Sequence, residues 1–578
     1  MTPLLEIKNL SVDFSTASGT TSAVRNISLE VNRCETVAIV GESGSGKTVT
    51  SLSILQLLPS PPAIYKNGKI LFSDNGISAV DLLKLNNHEL RKVRGSKISM
   101  IFQEPMTSLN PVKTCGEQVM EAMRIHQPLT KKEAAVKAFD LFKQVELPHS
   151  ASVLNRYPHE ISGGQKQRVM IAMAISCHPS LLIADEPTTA LDVTVQRTIL
   201  QLIKELQVKE QMSVIYITHD LSLVAEIADK VVVMFRGAIV ETGTVKEIFL
   251  KPQHPYTRAL LSCRPTPSSR GKRLPVTNDF LSALEENIHQ PSNNKHPENA
   301  NFEIKAARSG NLESAEPLLK VEHLKVYFPV KKNFFGKILE EFKAVDDVSF
   351  VVRNGETLGL VGESGCGKTT LGRSLIRLIT PTSGAILFNG KDIADIPEDQ
   401  FRKMRKDIQI IFQDPYGSLN PRLTIGQAIN EPMKVHSILP NEKQRKEKVI
   451  ELLQKVDLKP EYFNRYPHEF SGGQRQRICI ARALSLNPDF IICDESVSAL
   501  DVSVQAQVLN LLNDLKEELG FTFIFISHDL GVVHYISDRI MVMNKGKIEE
   551  TGTADEIYFH PKKAYTQRLI ASIPKIEF

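Results

Sequence analysis

Residues 41–48 read GESGSGKT, and residues 362–369 read GESGCGKT. Each stretch fits a phosphate-binding loop, in which glycines let backbone N–H groups curl around phosphates, the lysine adds a positive charge and the last hydroxyl reaches Mg²⁺. Each follows an apolar strand candidate and opens a helical stretch, and this context, present twice, argues against a glycine turn that binds nothing. The predicted nucleotide contacts are Gly41, Ser43, Gly44, Gly46, Lys47 and Thr48, and Gly362, Ser364, Gly365, Gly367, Lys368 and Thr369.

The chain is a tandem duplication. SGGQKQR at 162–168 recurs as SGGQRQR at 471–477, and FQEPMTSLNP at 102–111 recurs as FQDPYGSLNP at 412–421. Strand candidates alternate with helical stretches, which predicts an α/β fold: two tandem P-loop nucleotide-binding domains, each with a mainly parallel sheet and a helical subdomain, roughly 104–180 and 414–489. We expect a first domain over 1–267, a flexible linker over 268–316, rich in Pro, Asn, Ser and charge, and a second domain over 317–578.

Composition narrows the class of protein. The 578 residues suit several domains, and the net charge of +4 gives no basic excess that would indicate nucleic acid. The chain has no apolar run long enough to span a membrane, and its first residues lack the features of a signal peptide, so a cytoplasmic location is expected. The seven cysteines are scattered without CxxC pairs, which predicts free thiols.

An acid pair ends a strand candidate in each copy. LLIADE ends in Asp185 and Glu186, and FIICDE ends in Asp494 and Glu495. The first acid of each pair is suited to hold Mg²⁺, and the second to orient and polarise an attacking water. An acid pair alone is more often a solvated turn, but these pairs lie at matched positions downstream of a phosphate loop, which favours the functional interpretation.

A histidine ends a further apolar strand candidate in each copy, His219 in IYITHD and His528 in IFISHD. A single histidine is more often a structural residue. Two at equivalent positions after the strand aspartate fit a sensor that hydrogen-bonds the γ-phosphate and the attacking water.

The remaining motif points to a particular family. ISGGQ (161–165) and FSGGQ (470–474) place a hydroxyl and two glycines before a helix, where backbone N–H groups and the helix N-terminus favour an anion. Together with the phosphate loop, the ALD after the acid pair (190–192 and 499–501) and the histidine, this motif resembles the signature of the ATP-binding-cassette domain. The resemblance covers nearly the whole chain outside the linker. It implies ATP contacts at Ser162, Gly163, Gly164 and Gln165, and at Ser471, Gly472, Gly473 and Gln474.

The resemblance also implies how the two copies pair. In this family two cassettes face head to tail, and each ATP lies between the phosphate loop of one and the signature of the other. One site would therefore join Lys47 to Ser471 and Gly473; the other would join Lys368 to Ser162 and Gly164. The family's adenine-stacking aromatics correspond to Phe14 and Phe328, for which an ordinary strand aromatic is the alternative.

The repeated FQEP and FQDP segments resemble the oligopeptide and dipeptide import branch of this family. The resemblance implies that Gln103 and Gln413 touch Mg²⁺ and water, and that the residues after them enter the subdomain that receives the membrane subunits. HPYTRALLSCRP (254–265) and KAYTQRLIASIP (563–574) resemble the tails of the same branch. Fused two-cassette ATPases of bacterial peptide importers, such as the microcin C type, are the nearest likeness, and glutathione importers share this plan.

A peptide-import ATPase implies two kinds of partner: two transmembrane permease subunits and an extracytoplasmic solute-binding protein. It also implies a peripheral place on the cytoplasmic face of the inner membrane.

Some members of the branch hold an iron–sulfur cluster in the tail, but Cys263 stands alone here, so no cluster is expected. Both copies keep every motif, which predicts two working ATP sites. A ribosome-associated translation factor is the alternative of another class; the linker lacks the charged helical pattern typical of those proteins.

Overall fold

The computed structural model describes residues 2–16, 19–103, 108–188, 191–277, 279–280, 315–332, 338–498 and 500–573. Residues 104–107 of the first proline-flanked segment, both alanines of the ALD motifs and most of the expected linker lie outside this description. Within the described residues, no helix combines the length and the apolar character needed to cross a membrane.

The first copy contains two sheets. An antiparallel sheet has the strand order β2-β1-β4-β5, and a six-stranded sheet has the order β10-β9-β3-β8-β7-β6, with every neighbouring pair parallel except β9 and β10. The strands are β1 Leu5–Thr16, β2 Gly19–Val31, β3 Thr36–Val40, β4 Ala63–Phe72, β5 Val80–Asp81, β6 Ile98–Ile101, β7 Leu181–Asp185, β8 Ser213–Thr218, β9 Lys230–Phe235 and β10 Ala238–Thr244. The helices are α1 Lys47–Ile54, α2 Asn87–Val93, α3 Cys115–His126, α4 Lys131–Gln144, α5 Ser150–Val153, α6 Gly163–Ile175, α7 Val193–Glu210, α8 Leu221–Ile227, α9 Val245–Leu250 and α10 Pro255–Ser262.

The second copy repeats this topology. Its sheets have the orders β12-β11-β14-β15 and β16-β17-β18-β13-β19-β20. The strands are β11 Pro317–Lys332, β12 Ile338–Arg353, β13 Thr357–Val361, β14 Ser383–Phe388, β15 Lys391–Asp392, β16 Ile408–Ile411, β17 Phe490–Asp494, β18 Thr522–Ser527, β19 Arg539–Asn544 and β20 Lys547–Thr553. The helices are α11 Lys368–Leu375, α12 Glu398–Met404, α13 Pro415–Ser418, α14 Ile425–Val435, α15 Glu442–Lys455, α16 Gly472–Leu484, α17 Val502–Leu519, α18 Leu530–Ile536, α19 Ala554–Phe559 and α20 Ala564–Ala571.

The central strands explain where the site forms. Every residue of β3, β7 and β8 is buried, as expected for apolar runs in a parallel sheet covered on both faces. Because parallel strands end at the same edge, the residues after β3, β6, β7 and β8 converge there. The predicted α/β fold with a mainly parallel sheet is confirmed; the antiparallel sheet in each copy is an addition that the sequence analysis did not predict.

The start of the expected linker packs against the second copy. We name residues 263–277 the strap. Cys263 and Leu274 belong to the same buried apolar cluster as the core of the second copy. Asn510 on α17 accepts a hydrogen bond from the Leu274 N–H (3.0 Å) and donates one to the Leu274 carbonyl (2.8 Å). Residues 270–277 of the expected linker are therefore held by contacts, while the domain boundaries themselves stay a prediction.

Candidate active site

Each phosphate loop closes around its own lysine. The Lys47 ammonium is buried and donates to the carbonyl oxygens of Gly41 (2.7 Å) and Glu42 (2.9 Å). In the second copy the equivalent donors and acceptors are Lys368 with Gly362 (2.7 Å) and Glu363 (3.0 Å). Two carbonyls thus fix the ammonium within the loop, where its charge attracts a phosphate oxygen.

Two glycines are required where the loops turn into helices. Gly46 precedes α1 with φ +100°, and a Cβ there would lie 2.7 Å from the Ala23 carbonyl oxygen. Gly367 precedes α11 with φ +109°, and a Cβ there would lie 2.1 Å from the Ala344 carbonyl oxygen. A side chain is excluded both by the left-handed backbone and by the neighbouring strand.

The strand-end aspartates meet the loop hydroxyls. Thr48 Oγ1 donates to Asp185 Oδ1 (3.3 Å), and Thr369 Oγ1 donates to Asp494 Oδ1 (3.0 Å). Burial, and to a lesser extent the charge of Glu186, raises the pKa of Asp185 to about 6. Burial also raises the pKa of Asp494. A hydroxyl and a carboxylate at the start of a helix are hard oxygen ligands, so the residues present fit Mg²⁺.

In each copy the strand-end glutamate contacts the predicted glutamine and histidine. Gln103 Nε2 donates to Glu186 Oε2 (3.1 Å), and His219 Nδ1 lies 3.3 Å from Glu186 Oε1. The second copy repeats the group: Gln413 Nε2 donates to Glu495 Oε2 (2.8 Å), and His528 Nδ1 lies 3.8 Å from the same oxygen. The structure therefore brings three predicted site residues together in each copy.

Both glutamates have a backbone conformation that non-glycine residues rarely adopt. The φ angle is 46° at Glu186 and 48° at Glu495. Such left-handed residues persist only when their surroundings enforce them, and they concentrate at functional sites. Here the conformation turns the carboxylate from the end of the sheet toward the glutamine and the histidine.

In each copy, one member of the glutamate–histidine pair shifts the pKa of the other. Burial disfavours a charged imidazole, yet the Glu186 carboxylate outweighs that effect and raises the pKa of His219. Burial likewise works against an ionised Glu495, but the neighbouring His528 imidazole outweighs that effect and lowers the pKa of Glu495. An ionised carboxylate beside an imidazole is suited to hold and polarise a water molecule.

A cavity of about 370 Å³ opens beside the second phosphate loop. Loop residues, Gln413, Glu495 and His528 line it, and so does Phe342. Phe328, the predicted adenine contact, is not part of that lining; it pairs in register with Phe342 across the β11–β12 hairpin. The sequence analysis missed Phe342 because its position depends on the hairpin register. In the first copy Phe14 packs against the core, half-buried, and both adenine assignments stay predictions.

The signature serines begin helices. Ser162 caps α6 and Ser471 caps α16, each accepting from the N–H of the glutamine three residues on, Gln165 or Gln474. A Cβ at Gly473 would lie 2.2 Å from Val504, so that position requires glycine for packing. Among the described residues, Ser162 and Gly164 do not line the cavity beside the second phosphate loop. The pairing of each signature with the opposite lysine therefore stays a prediction.

The two copies face each other through their phosphate loops. The Ser43 N–H donates to Asp501 Oδ2 (2.8 Å), and the hydroxyl of Ser503 donates to the Glu42 carboxylate. In the opposite direction, Thr194 Oγ1 donates to Glu363 Oε1 (3.3 Å). Each loop is thereby joined to the start of the helix, α17 or α7, that follows the acid pair of the other copy.

The sequence analysis also missed three tail residues. The phenol oxygen of Tyr256 accepts from the Glu42 N–H (3.0 Å), and that of Tyr565 accepts from the Glu363 N–H (3.1 Å), so each tail supports a phosphate loop. Arg264, in the strap, lies 3.5 Å from Asp220, the residue after His219. The only signal for these residues was their place in the repeated tail motif.

Two protein families match parts of this chain. The ABC transporter family matches residues 24–189 and 345–498. The family described as "Oligopeptide/dipeptide transporter, C-terminal region" matches residues 240–287 and 550–578. These matches cover both phosphate loops, both signatures, both acid pairs and both tails, whereas His219 and His528 lie outside the matched ranges.

Relatives match over nearly the whole chain. The chain is 49% identical to the glutathione import ATP-binding protein GsiA of Escherichia coli (strain K12) over 575 residues, which cover 99% of this chain and 90% of the relative. It is 48% identical to GsiA of Shigella flexneri over the same length. Among solved structures, the ATP-binding cassette MJ0796, in a dimeric post-hydrolysis state bound to ADP and Pi, is 28% identical, with 41% of this chain and 98% of that chain covered and a TM-score of 0.37.

Proposed function

The chain belongs to the ABC transporter family, in its oligopeptide and dipeptide branch, and from that premise we propose that it energises the import of peptides or peptide-like solutes across the bacterial inner membrane. It is an ATP-binding protein of the importer type, with two ATP-binding cassettes in one chain. ATP binding closes the cassettes, and hydrolysis with phosphate release lets them part.

We propose two working sites because both copies contain a glutamine, a glutamate and a histidine in contact. Each strand-end glutamate contacts a glutamine and a histidine, and each lies beside an intact phosphate loop. Glu186 and Glu495 would polarise the attacking water, and His219 and His528 would hold the γ-phosphate. Neither cassette has lost a group that this chemistry needs.

Magnesium and the signatures complete each proposed site. Thr48 with Asp185, and Thr369 with Asp494, would hold Mg²⁺ together with the amide oxygen of Gln103 or Gln413. The ion would neutralise charge that develops on the phosphates. We further propose that each ATP is shared head to tail, Lys47 facing Ser471 and Gly473, and Lys368 facing Ser162 and Gly164; the cross-cassette contacts of Ser43 and Glu363 support this arrangement.

We propose two transmembrane permease subunits and an extracytoplasmic solute-binding protein as partners, with the chain on the cytoplasmic face of the membrane. The segments after Gln103 and Gln413 would carry closure to the permeases, because each glutamine touches the water-polarising glutamate at the start of a helical subdomain. The extent of the match to the tails of the peptide-import branch supports this assembly over a ribosomal role.

Glutathione is the first solute to test, because the relatives that match nearly the whole chain are named for its import. Cells of the native organism that lack the chain are complemented with the intact chain or with the Glu186→Gln, Glu495→Gln double variant. Uptake of labelled glutathione and of labelled di- and oligopeptides is then measured. We expect the intact chain alone to restore uptake of at least one of these solutes; equal uptake with both chains would refute the proposal.

A further inference from the structure

Arg264 lies between the histidine motifs of the two cassettes. Its Nη1 atom is 3.5 Å from Oδ1 of Asp220. It also lines a cavity of about 90 Å³ together with His219 and Asp220 of the first cassette and His528 and Asp529 of the second. A single guanidinium therefore pairs with the acid that follows the first histidine and shares a cavity with the acid that follows the second.

Both of these acids are fixed at a helix start. Asp220 Oδ1 accepts from the N–H of Ser222 (2.9 Å) and caps α8, and Asp529 Oδ1 accepts from the N–H of Gly531 (2.8 Å) and caps α18. Burial disfavours the guanidinium charge, but the fields of Asp220 and Asp529 outweigh it and raise the pKa of Arg264. The cation is thus stabilised by carboxylates from both cassettes.

The arrangement has no counterpart in the second tail. HPYTRALLSCRP aligns with KAYTQRLIASIP, which places Ile573 at the position of Arg264. Ile573 is half-buried against the core of the second cassette. One cation therefore serves two acids, and the cassettes are unequal at this point.

The strap fixes the arginine in place. Cys263, its neighbour in the chain, is fully buried in the core of the second cassette. Further along, the Tyr535 hydroxyl donates to the Lys272 carbonyl (2.9 Å), and Arg273 pairs with Asp514 (2.8 Å). Arg264 is held at the cassette interface by contacts on both sides of it in the chain.

We propose that Arg264 is a positioning residue for ATP hydrolysis, which couples the two histidine motifs by holding Asp220 and Asp529 to one shared cation when the cassettes close. Without that cation, two like-charged carboxylates, one from each cassette, would line one cavity and oppose closure. The inference rests on the proposed roles of His219 and His528 in hydrolysis.

The test compares ATP hydrolysis by full-length chains. Arg264→Met removes the charge, Arg264→Lys keeps it, and Arg258→Met removes an exposed arginine of α10 that donates to the nearby Pro252 carbonyl. We expect Arg264→Met to raise the KM for ATP about fivefold with kcat changed less than about twofold, because closure is opposed while the chemical groups remain. Arg264→Lys should largely restore KM, and Arg258→Met should leave it unchanged. Arg264→Gln repeats the test if Arg264→Met does not fold.

A double-mutant cycle with Asp529→Asn separates coupling from a merely structural role. If the arginine acts on the acid of the second cassette, Arg264→Met should change KM much less in the Asp529→Asn chain than in the parent. Additive effects of the two substitutions on KM, or an equal rise in KM in Arg264→Met and Arg264→Lys, would overturn the inference. His219→Ala is measured alongside: full hydrolysis there would refute the proposed histidine role, whereas additivity in the cycle refutes only the coupling.

Discussion

At the scale of single residues, Glu186 and Glu495 carry the proposed chemistry. Each has a left-handed backbone and contacts a glutamine and a histidine. We predict that Glu186→Gln with Glu495→Gln lowers the rate of ATP hydrolysis by about a hundredfold or more, because an amide cannot polarise the attacking water. Binding of ATP should persist, since the phosphate loops are unchanged.

Phosphate release and binding of a fluorescent ATP analogue measure the two effects separately. Glu205→Gln is the matched control, because Glu205 is an exposed glutamate on α7 that bonds Gln201 of the same helix. Near-normal hydrolysis by the double variant would contradict the assignment.

The buried aspartates predict a pH dependence of magnesium use. The pKa of Asp185 is raised to about 6, so in the absence of metal this carboxyl takes up a proton as the pH falls through that value. Mg²⁺ needs the ionised form, and proton and metal therefore compete. We predict that the Mg²⁺ concentration for half-maximal hydrolysis is several-fold higher at pH 5.5 than at pH 7.5.

Magnesium titrations at the two pH values check this prediction. The Asp185→Asn chain has no carboxyl to titrate at that position, so the shift that remains comes from Asp494 and from ATP itself. An equal shift in the parent and in Asp185→Asn would show that the aspartate does not compete with the proton for the metal.

At the scale of elements, each tail supports a phosphate loop. The Tyr256 hydroxyl is buried and accepts from the Glu42 N–H. We predict that Tyr256→Phe lowers the midpoint of thermal unfolding by about 2–4 °C, because loss of the acceptor leaves a backbone N–H without that bond at a cost of about 1 kcal/mol. Tyr157→Phe, at a tyrosine that is 39% exposed, is the control. Equal midpoints for Tyr256→Phe and the parent chain would contradict this role of the tail.

The sequence analysis predicted the site residues that lie in short motifs at the ends of strands. The phosphate loops, the strand-end acids and the histidines each form a short motif at a strand end, and parallel strands bring these ends together. Phe342 and Arg264 lack such a motif. The place of Phe342 follows from the pairing of a long hairpin with several register shifts. That of Arg264 follows from the packing of the strap against the second cassette.

The position of the strap could not be predicted from its own sequence either. Residues 270–277 have the polar, Pro-containing composition that favours a linker, yet Leu274 is 1% exposed. The Leu274 side chain packs in the apolar core of the second cassette, and Asn510 pairs with its backbone much as a neighbouring strand would. No property of the strap sequence alone identifies that partner.

At the scale of the whole molecule, the strap predicts that the two cassettes stay together without an intact chain. A site-specific protease sequence inserted after residue 295 allows the purified protein to be cut between the cassettes. We predict that the halves of the parent co-elute in size-exclusion chromatography, whereas Leu274→Ala weakens their association, since truncating a buried leucine costs about 2–5 kcal/mol. Leu250→Ala, at an exposed leucine, should behave like the parent. Separation of the parent's halves would contradict the prediction.

The central claim is that this chain is the ATP-hydrolysing subunit of a peptide-type importer. Its most direct test is isolation of the tagged chain from detergent-solubilised membranes of its own cells, with the bound proteins identified by mass spectrometry. The account predicts two permease proteins with several membrane spans, accompanied by a solute-binding protein. Recovery of ribosomal proteins with no integral membrane protein would contradict it.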